Sequence, residues 1–526
     1  MNRFLKGAMI LTIAGIVVKI MGAFSKVILA RILGGEGIGL YQMAYPIYQI
    51  IVSIATAGLP VAISIMVADK LANNDALGVQ KIHRVSMSLL ATLGLVFSVA
   101  MYFATPLLID RGGLVTDPRA YYAILALSPS IFVVTLLSCL RGYFQGFQDM
   151  LPTGMSQVFE QLFRVTAMVG LAYWLLPKGL HWAAAGASLA TLPGVTAGLL
   201  VLLYFYRRQR KARQELLETQ NPQATTETAL AIMKRLIILA IPVSMANIMM
   251  PIVSGIDLGV VPRRLVEAGY TVREATTLFG YLTGMATSLV NLPVILTTSL
   301  AASLVPAISE AYAKRNMEEI RERTHMAMKI AALITIPSFV GLCVLATPVS
   351  SMLYATPNAG GPIAVMSLSI FLLGMQQVTT GVLQGLGRTA IPMINLIVCT
   401  ILKIPLSWYL TAQPEWGING AAWSTNIDFG LAAALNMVFV YKYIGYRLPL
   451  LLMMKIACAA LAMGGAAVVV YYMALSLTGN AAAVLLAIVG AVIVYGGALL
   501  LTKALEKEDI YHLPFIGKRL RRKENA

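Results

Sequence analysis

Long apolar segments recur along almost the whole chain, and they constrain the fold more than any other feature of the sequence. A helix needs about 20 apolar residues to cross a bilayer. On that criterion the sequence predicts fourteen transmembrane helices, near residues 8–30, 39–67, 85–105, 120–140, 153–176, 183–205, 236–261, 276–305, 326–346, 362–384, 390–410, 417–441, 450–474 and 480–502. Of the 526 residues, 58% are hydrophobic and only 12% are charged. This composition excludes a soluble globular protein and predicts an all-α polytopic membrane protein.

Basic residues concentrate at one end of these predicted helices. If the N-terminus lies in the cytoplasm, most of the 40 Lys and Arg residues fall on the cytoplasmic side. This bias is the positive-inside rule, and it predicts a cell-membrane protein with both termini in the cytoplasm. It also explains the net charge of +17 without a nucleic-acid partner.

Short motifs recur in the same order in two halves of the chain. Gln145-Gly146 returns as Gln384-Gly385, and Thr105-Pro106 returns as Thr347-Pro348. An even number of helices in each half predicts parallel repeats that are related by an axis along the membrane normal. The predicted domains are an N-lobe (1–205), a basic cytoplasmic linker (206–235), a C-lobe (236–441), two further helices (442–502) and a basic cytoplasmic tail (503–526).

The linker is polar and contains Asn221-Pro222, which predicts a flexible connection between the lobes. Its basic cluster begins at Arg207 and ends at Arg213. These side chains either act as a topology signal or also contact anionic lipid headgroups. The sequence favours the topology signal.

The first predicted helix carries a narrow stripe of cations and small residues on one side. Lys19 and Lys26 share this stripe with Thr12, Gly15 and Gly22. A charged side chain that faces lipid costs about 2.5–3.5 kcal/mol, so the stripe is expected to face a polar interior. Two alternatives remain. Each lysine pairs with a carboxylate on a neighbouring helix, or Lys26 extends to the nearer membrane surface.

Other ionisable residues lie inside predicted helices and are functional candidates for that reason. Glu160 and Arg164 have the i,i+4 spacing of an ion pair, which favours mutual neutralisation over cavity lining. Asp257 lies late in the seventh predicted helix, so an interfacial position is the alternative to a functional one. Lys403 lies in the eleventh.

The sequence lacks the motifs that an ATPase, a membrane glycosyltransferase or a membrane phosphatase would need. No Walker motif is present, and the acidic residues of the predicted outer loops are scattered. The four cysteines lie in apolar runs without metal-binding spacing. We therefore expect no catalysis, no metal and no cofactor.

The end of the first predicted helix also carries a family resemblance. Ala30-Arg31-Ile32-Leu33-Gly34, followed by Gly37, Gly39 and Tyr41, resembles the corresponding segment of the multidrug/oligosaccharidyl-lipid/polysaccharide exporter superfamily. Nearly the whole chain is similar to the branch that contains the stage V sporulation protein B family and the lipid II flippases of Gram-positive bacteria. The resemblance implies a two-lobed transporter of undecaprenyl-pyrophosphate-linked glycans, with the last two helices beside a groove for the lipid tail.

The resemblance also implies roles for particular residues. Lys19 and Lys26 match the positions of cations that face the central cavity. Arg31 belongs to the shared motif, where it has either a structural role or a ligand contact. The second predicted helix lacks the cavity arginine of other members, and Gln49 is the nearest polar residue there.

Together these features predict a flippase that moves such a glycan from the inner to the outer leaflet by alternating access. The preferred substrate is the peptidoglycan precursor lipid II. Fixed cations lower the cost of carrying a pyrophosphate through a low-dielectric layer. Coupling to a cation or to the membrane potential is expected, with the lipid-linked glycan and membrane lipids as partners of a monomer. The alternatives are a cation-coupled multidrug exporter and a non-transporting scaffold for envelope or spore polymer synthesis.

Overall fold

The computed structural model describes residues 3–56, 58–109, 113–218 and 227–504. Every regular element in these ranges is a helix. The α-helices of the first half are α1 (Arg3–Thr56), α2 (Leu59–Ala72), α3 (Ala76–Ile109), α4 (Tyr121–Gly146), α5 (Met150–Leu175), α6 (Leu180–Leu189), α7 (Thr191–Arg208) and α8 (Arg210–Glu218). Those of the second half are α9 (Ala229–Glu267), α10 (Val272–Phe279), α11 (Thr287–Ala313), α12 (Met317–Val344), α13 (Ala346–Tyr354), α14 (Gly360–Gly385), α15 (Ala390–Thr411), α16 (Gly417–Ile444), α17 (Leu450–Thr478) and α18 (Asn480–Leu501). Short 3₁₀ turns cover Pro118–Ala120, Leu176–Lys178 and Pro357–Ala359, and a π-helical segment covers Gly280–Ala286.

The helices confirm a polytopic membrane protein. Twelve segments of the described residues are long and apolar enough to cross a bilayer. The predicted number of fourteen is not reached, for two reasons. The first two predicted helices form one candidate segment, Met9–Ala72, and α5 is absent from the twelve. The four polar residues at 157, 160, 161 and 164 account for the lower hydropathy of α5. A count of fourteen therefore stays a prediction.

Gly34 divides α1 into two parts. Its backbone has φ 64° and ψ −172°, while the residues on both sides are helical. This left-handed φ is accessible to glycine at little cost. The first part of α1 carries the predicted lysine stripe, and the second part carries a series of tyrosines that begins at Tyr41.

The turns at helix ends repeat between the two halves of the chain. After α4, Gln148 has a positive φ and the Asp149 amide donates to the Phe144 carbonyl. After α14, Gly387 has a positive φ and the Arg388 amide donates to Leu383 in the same way. A second matching pair of turns follows α2 at Asn74 and α11 at Arg315. These matching turns agree with the predicted sequence repeat.

Close helix contacts repeat as well. Gly142 on α4 approaches the Pro60 carbonyl of α2, and Gly381 on α14 approaches the Ala301 carbonyl of α11. In each half, therefore, a glycine of the fourth repeat helix lets its backbone come close to the second. Small residues at such contacts are the usual means of tight packing between membrane helices.

The described helices form two compact units, Met1–Gly284 and Met285–Ala526. The core of the first unit is formed mainly by α2, α3, α4 and α7, together with the start of α9. The core of the second is formed mainly by α12, α14, α17 and α18. The unit boundary differs from the predicted lobe boundary near residue 235, because α9 and α10 pack against α1 within the first unit. The first unit thus includes the first helix of the second sequence repeat and the start of the second, up to Gly284.

The predicted linker contains more helix than the sequence indicates. Helix α7 continues to Arg208, α8 occupies Arg210–Glu218, and α9 begins at Ala229. The Asn221-Pro222 pair lies outside the described residues, as does the tail after Ala504. The predicted groove beside α17 and α18 stays a prediction, although a cavity of about 270 Å³ in the second unit is lined partly by Val468, Tyr471 and Tyr472 of α17.

Candidate functional site

The first part of α1 packs against α5 through small residues. Gly154 of α5 lies close to Ile10 and Ala14, and Gly22 of α1 lies close to the Gln161 side chain. The lysine stripe therefore runs along the edge of α1 that adjoins the polar face of α5. The exposed apolar side chains of α1, among them Ile16, Ile20 and Phe24, lie on a different side of the helix.

Lys19 is exposed and Lys26 is partly buried. In the part of the chain that the structure describes, neither ammonium group has a carboxylate within ion-pair distance. Pairing of each lysine with an acidic neighbour, one of the two alternatives from the sequence, is therefore not found among these residues. Both cations remain available to an anion, and their cavity-lining role stays a prediction.

Glu160 lies at the centre of a polar cluster beside this stripe. The predicted ion pair with Arg164 is present. A second guanidinium, that of Arg141 on α4, donates to Glu160 Oε2 at 2.8 Å and to Ser156 Oγ at 3.1 Å. We call Arg141, Ser156, Glu160 and Arg164 the Glu160 cluster. Because two guanidiniums share one carboxylate, the cluster carries an excess of one positive charge.

The charge bias along the sequence places Arg141 among the basic residues of the predicted cytoplasmic side. In the structure only 19% of its side chain is exposed, and it joins α4 to α5 inside the first unit. Sequence reasoning missed this contact because the two residues lie on different helices and no local spacing relates them.

Three tyrosines on the second part of α1 face the Glu160 cluster. The rings of Tyr41 and Tyr45 stack with centroids 5.8 Å apart, and Tyr48 continues the series at 6.0 Å from Tyr45. Tyr41 and Tyr48 lie near enough to Arg164 to interact with its charge. Phenol hydroxyls and guanidiniums are both hydrogen-bond donors, so these side chains together suit an anionic or oxygen-rich ligand.

The other predicted site residues are less closely grouped. Arg31 is exposed, while Gln49 and Asp257 are partly buried, and all three lie in the first unit. Lys403 is only 2% exposed on α15 in the second unit. The structure thus brings Glu160 and Arg164 together and adds Arg141 and the tyrosines, whereas the roles of the remaining residues stay predictions.

A second polar network joins α1 to α10 at the end of the helices that the charge bias predicts to be outer. Glu36 pairs with Arg119 and with Arg273, the latter at 2.9 Å. Asp117, which is buried, pairs with Arg119 at 2.7 Å and accepts from Thr276 Oγ1 at 2.8 Å. We call these five residues the outer network. No local pattern in the sequence indicates it, since Glu36 and Arg273 are far apart in the chain.

Glycines bring the backbones together beneath the outer network. A Cβ on Gly39 would lie 2.0 Å from the Thr276 carbonyl oxygen, and a Cβ on Gly280 would lie 2.1 Å from that of Gly35. Gln42 Nε2 donates to the Thr283 carbonyl at 2.7 Å. We call this contact between α1 and the Thr276–Gly284 segment the glycine seam. A π-helical segment lies on one side of the seam, and such segments often occur at functional sites.

Family comparison agrees with this architecture. The family model described as polysaccharide biosynthesis protein matches residues 4–312, which is more than half of the chain. The chain belongs to the polysaccharide biosynthesis protein family. A second family model, MatE, matches residues 283–409. These matches confirm the resemblance to the multidrug/oligosaccharidyl-lipid/polysaccharide exporter superfamily. As a member of that superfamily, the protein is a membrane transporter.

Individual relatives cover most of the chain. Stage V sporulation protein B of Bacillus subtilis (strain 168) is 33% identical over 441 residues, which is 84% of each protein. Lipid II flippase MurJ of the same organism is 25% identical over 465 residues, covering 86% of this chain and 85% of the relative. The solved structure of a lipid II flippase MurJ in an inward closed conformation has a TM-score of 0.71 at 18% identity, covering 94% of this chain and 99% of that one. At 18% identity, the comparison with this solved structure shows a shared fold and carries no conclusion about function.

Proposed function

We propose that this protein is a flippase that moves an undecaprenyl-pyrophosphate-linked glycan from the inner to the outer leaflet by alternating access. Lipid II is the preferred substrate. The observation that carries this proposal is the excess of positive charge in the first unit. Lys19 and Lys26 have no carboxylate partner among the described residues, and the Glu160 cluster beside them is itself cationic.

The charge excess suits a pyrophosphate better than an organic cation. A pyrophosphate carries at least two negative charges and offers several acceptor oxygens to Lys and Arg donors. Fixed cations compensate part of its desolvation, while the polyprenyl tail stays in the lipid. The names of two relatives, stage V sporulation protein B and lipid II flippase, support the same class of substrate.

Alternating access requires a contact that opens and closes on the outer side. The outer network and the glycine seam supply one, because they join α1 to the first helices of the second repeat by ion pairs and close backbone packing. Coupling to a cation gradient or to the membrane potential is part of the proposal. A charge that crosses the membrane potential is worth about 2.3 kcal/mol per 100 mV.

Reconstitution of the purified chain in liposomes tests the proposal. Fluorescent lipid II, and in parallel other lipid-linked glycans, would be supplied in one leaflet and their arrival in the other followed by a membrane-impermeant quencher. We expect transfer of lipid II by the native chain. Lys19→Ala should reduce the rate at least about tenfold, because a charge-assisted contact contributes about 1.5–3 kcal/mol.

The matched control is Lys442→Ala, which removes an exposed lysine at the end of α16. It should transfer at the native rate within about twofold, with equal protein in the liposomes. Absence of transfer of every lipid-linked glycan by the native chain would reject the proposal and favour the scaffold alternative. Normal transfer by Lys19→Ala would reject the role of the stripe.

The MatE match over residues 283–409 favours a second candidate, a cation-coupled multidrug exporter. That function predicts a free carboxylate in the first repeat to bind the coupling cation. Glu160 instead accepts from two arginines. Export of organic cations that depends on a cation gradient, in liposomes that do not transfer lipid II, would favour this candidate over the flippase.

A further inference from the structure

A polar cavity of about 320 Å³ lies in the first unit among the ends of α3, α4, α7 and α8. We call it the arginine pocket. Its lining includes Arg84, Arg210 and Arg213 together with His83, Tyr143 and Tyr206. No residue of α1 or α5 lines it, so it is separate from the Glu160 cluster and from the lysine stripe.

One wall of the arginine pocket is a fixed aromatic stack. The His83 ring lies 4.7 Å from the Tyr143 ring and 5.1 Å from the Tyr206 ring. The Arg213 guanidinium lies 3.6 Å from the centre of the Tyr206 ring and also donates to the Tyr206 carbonyl. A guanidinium that is held in this way by a ring and a carbonyl keeps its other N–H donors in a defined direction.

The charges of the pocket are not neutralised by its own residues. Arg84 donates to the neutral side chain of Gln80 at 3.2 Å, and Arg210 has no ion-pair partner among the described residues. No Asp or Glu is among the lining residues. Asp149, near the end of α4, accepts a hydrogen bond from Gln209, which does not line the pocket. His83 Nδ1 is buried without a hydrogen-bond partner in the described part of the chain. Three guanidiniums and this nitrogen therefore line a cavity to which no carboxylate side chain contributes.

The pocket lies at one end of the helices that line it. It lies where α3 begins and where α4 and α7 end, beside the segment in which the basic residues concentrate. The charge bias predicts this side to be cytoplasmic, and anionic lipids give the cytoplasmic leaflet its negative surface potential. Tyrosines are typical of the level of the lipid headgroups. A pocket at this level lies within reach of lipid headgroups, whose phosphates are concentrated at the membrane surface.

We propose that the arginine pocket binds the phosphate headgroup of an anionic glycerophospholipid from the cytoplasmic leaflet. Arg84, Arg210 and Arg213 hold the phosphate, and the aromatic stack of His83, Tyr143 and Tyr206 forms the wall beside the glycerol. The volume of about 320 Å³ is at the lower end of the range for small-molecule sites and suits a headgroup without its acyl chains. The site anchors α8 and the start of the linker to the membrane surface, and it does not depend on which substrate the protein carries.

The test measures lipid binding to the purified full chain in detergent by native mass spectrometry. The probes are dioctanoyl phosphatidylglycerol, dioctanoyl phosphatidylcholine and inorganic phosphate. We expect at least tenfold preference for phosphatidylglycerol over phosphatidylcholine. In the variant Arg84→Gln/Arg210→Gln/Arg213→Gln that preference should fall to less than twofold.

The matched control, Arg207→Gln/Arg208→Gln/Lys211→Gln, removes the same charge from exposed positions of the same segment that do not line the pocket. It should keep the native preference. Equal loss in the control would overturn the proposal, since it would show attraction to net charge alone. Displacement of phosphatidylglycerol by an equal concentration of inorganic phosphate would also overturn it. If the triple variant does not fold, the single variant Arg84→Gln, on the α3 wall, should lower the preference at least threefold, and an unchanged preference would overturn the proposal.

Discussion

Glu160 is the counter-ion that stabilises two partly buried arginines of the first unit. It accepts from Arg141 and from Arg164, and only 13% of its side chain is exposed. Removal of one partner of a buried ion pair leaves an uncompensated charge, which costs more than the pair itself contributes. Since one carboxylate serves two guanidiniums here, loss of the carboxylate should destabilise the protein more than loss of one guanidinium.

We expect Glu160→Gln to destabilise the protein by about 3 kcal/mol, because it leaves two guanidiniums without a counter-ion. Arg141→Gln should cost about 1–2 kcal/mol, since Glu160 keeps Arg164. The double variant Glu160→Gln/Arg141→Gln should be less destabilised than the sum of the two, as is usual for residues in one network. Thermal unfolding of the purified variants measures these effects. An Arg141→Gln variant as unstable as Glu160→Gln would contradict the shared-carboxylate arrangement.

The repeated turns allow a second prediction at the scale of single residues. Gln148 and Gly387 occupy equivalent turns, and both have a positive φ. A non-glycine residue in this conformation costs about 1–2 kcal/mol. Gln148→Gly should therefore raise the midpoint of thermal unfolding, and Gly387→Gln should lower it. As a control, Gly170→Gln changes a helical glycine of α5 where a Cβ would meet no atom within 4 Å, and it should not lower the midpoint. Shifts of the same sign for Gln148→Gly and Gly387→Gln would contradict the equivalence of the turns.

At the scale of helices, the contact between α1 and the Thr276–Gly284 segment depends on the absence of side chains. Two glycines, Gly39 and Gly280, permit a backbone approach that a Cβ would prevent, and Gly35 leaves room for the Tyr281 ring. The outer network lies over the same contact. Backbone atoms cannot move aside as flexible side chains can, so substitution should separate the helices rather than be absorbed locally.

We expect Gly39→Ala to open the glycine seam, because its Cβ would lie 2.0 Å from the Thr276 carbonyl oxygen. A cysteine introduced at Gln42, which bonds across the seam, should then react with a membrane-impermeant maleimide at least several times faster than in the parent. Gly170→Ala on α5, where no atom lies within 4 Å, is the matched control and should not change the reaction rate. Equal rates in Gly39→Ala and the parent would show that the seam tolerates a side chain.

At the scale of the whole molecule, the sequence predicted the helices and their repetition better than it predicted the site. Apolar length alone located nearly every membrane helix, and Gln145-Gly146 with Gln384-Gly385 correctly marked equivalent turns. The i,i+4 spacing predicted the Glu160–Arg164 pair because both residues lie on one helix. The contacts of Arg141 with Glu160 and of Glu36 with Arg273 join different helices, and a single sequence contains no local pattern for them. Contacts between different helices also explain why the first compact unit continues past the linker and ends at Gly284.

Alternating access requires α1 and the first helices of the second repeat to separate at some stage of transport. A disulfide across the glycine seam should prevent that step. A Cβ on Gly284 would lie 3.6 Å from the Cβ of Ile38, which is within the range for a disulfide. In a chain whose four native cysteines are replaced by serine, Ile38→Cys/Gly284→Cys should lose lipid II transfer after oxidation and regain it after reduction.

The control disulfide joins two helices of the same repeat. A Cβ on Gly374 of α14 would lie 3.6 Å from the Cβ of Thr335 on α12, also within the range for a disulfide. Both helices belong to the second repeat, which the proposed mechanism moves as one body, so oxidised Gly374→Cys/Thr335→Cys should transfer lipid II as fast as its reduced form. If the seam disulfide forms and the oxidised protein transfers lipid II as fast as the reduced protein, α1 and the π-helical segment do not have to separate during transport. The outer network would then be a permanent structural contact, and the passage of the headgroup would have to open elsewhere.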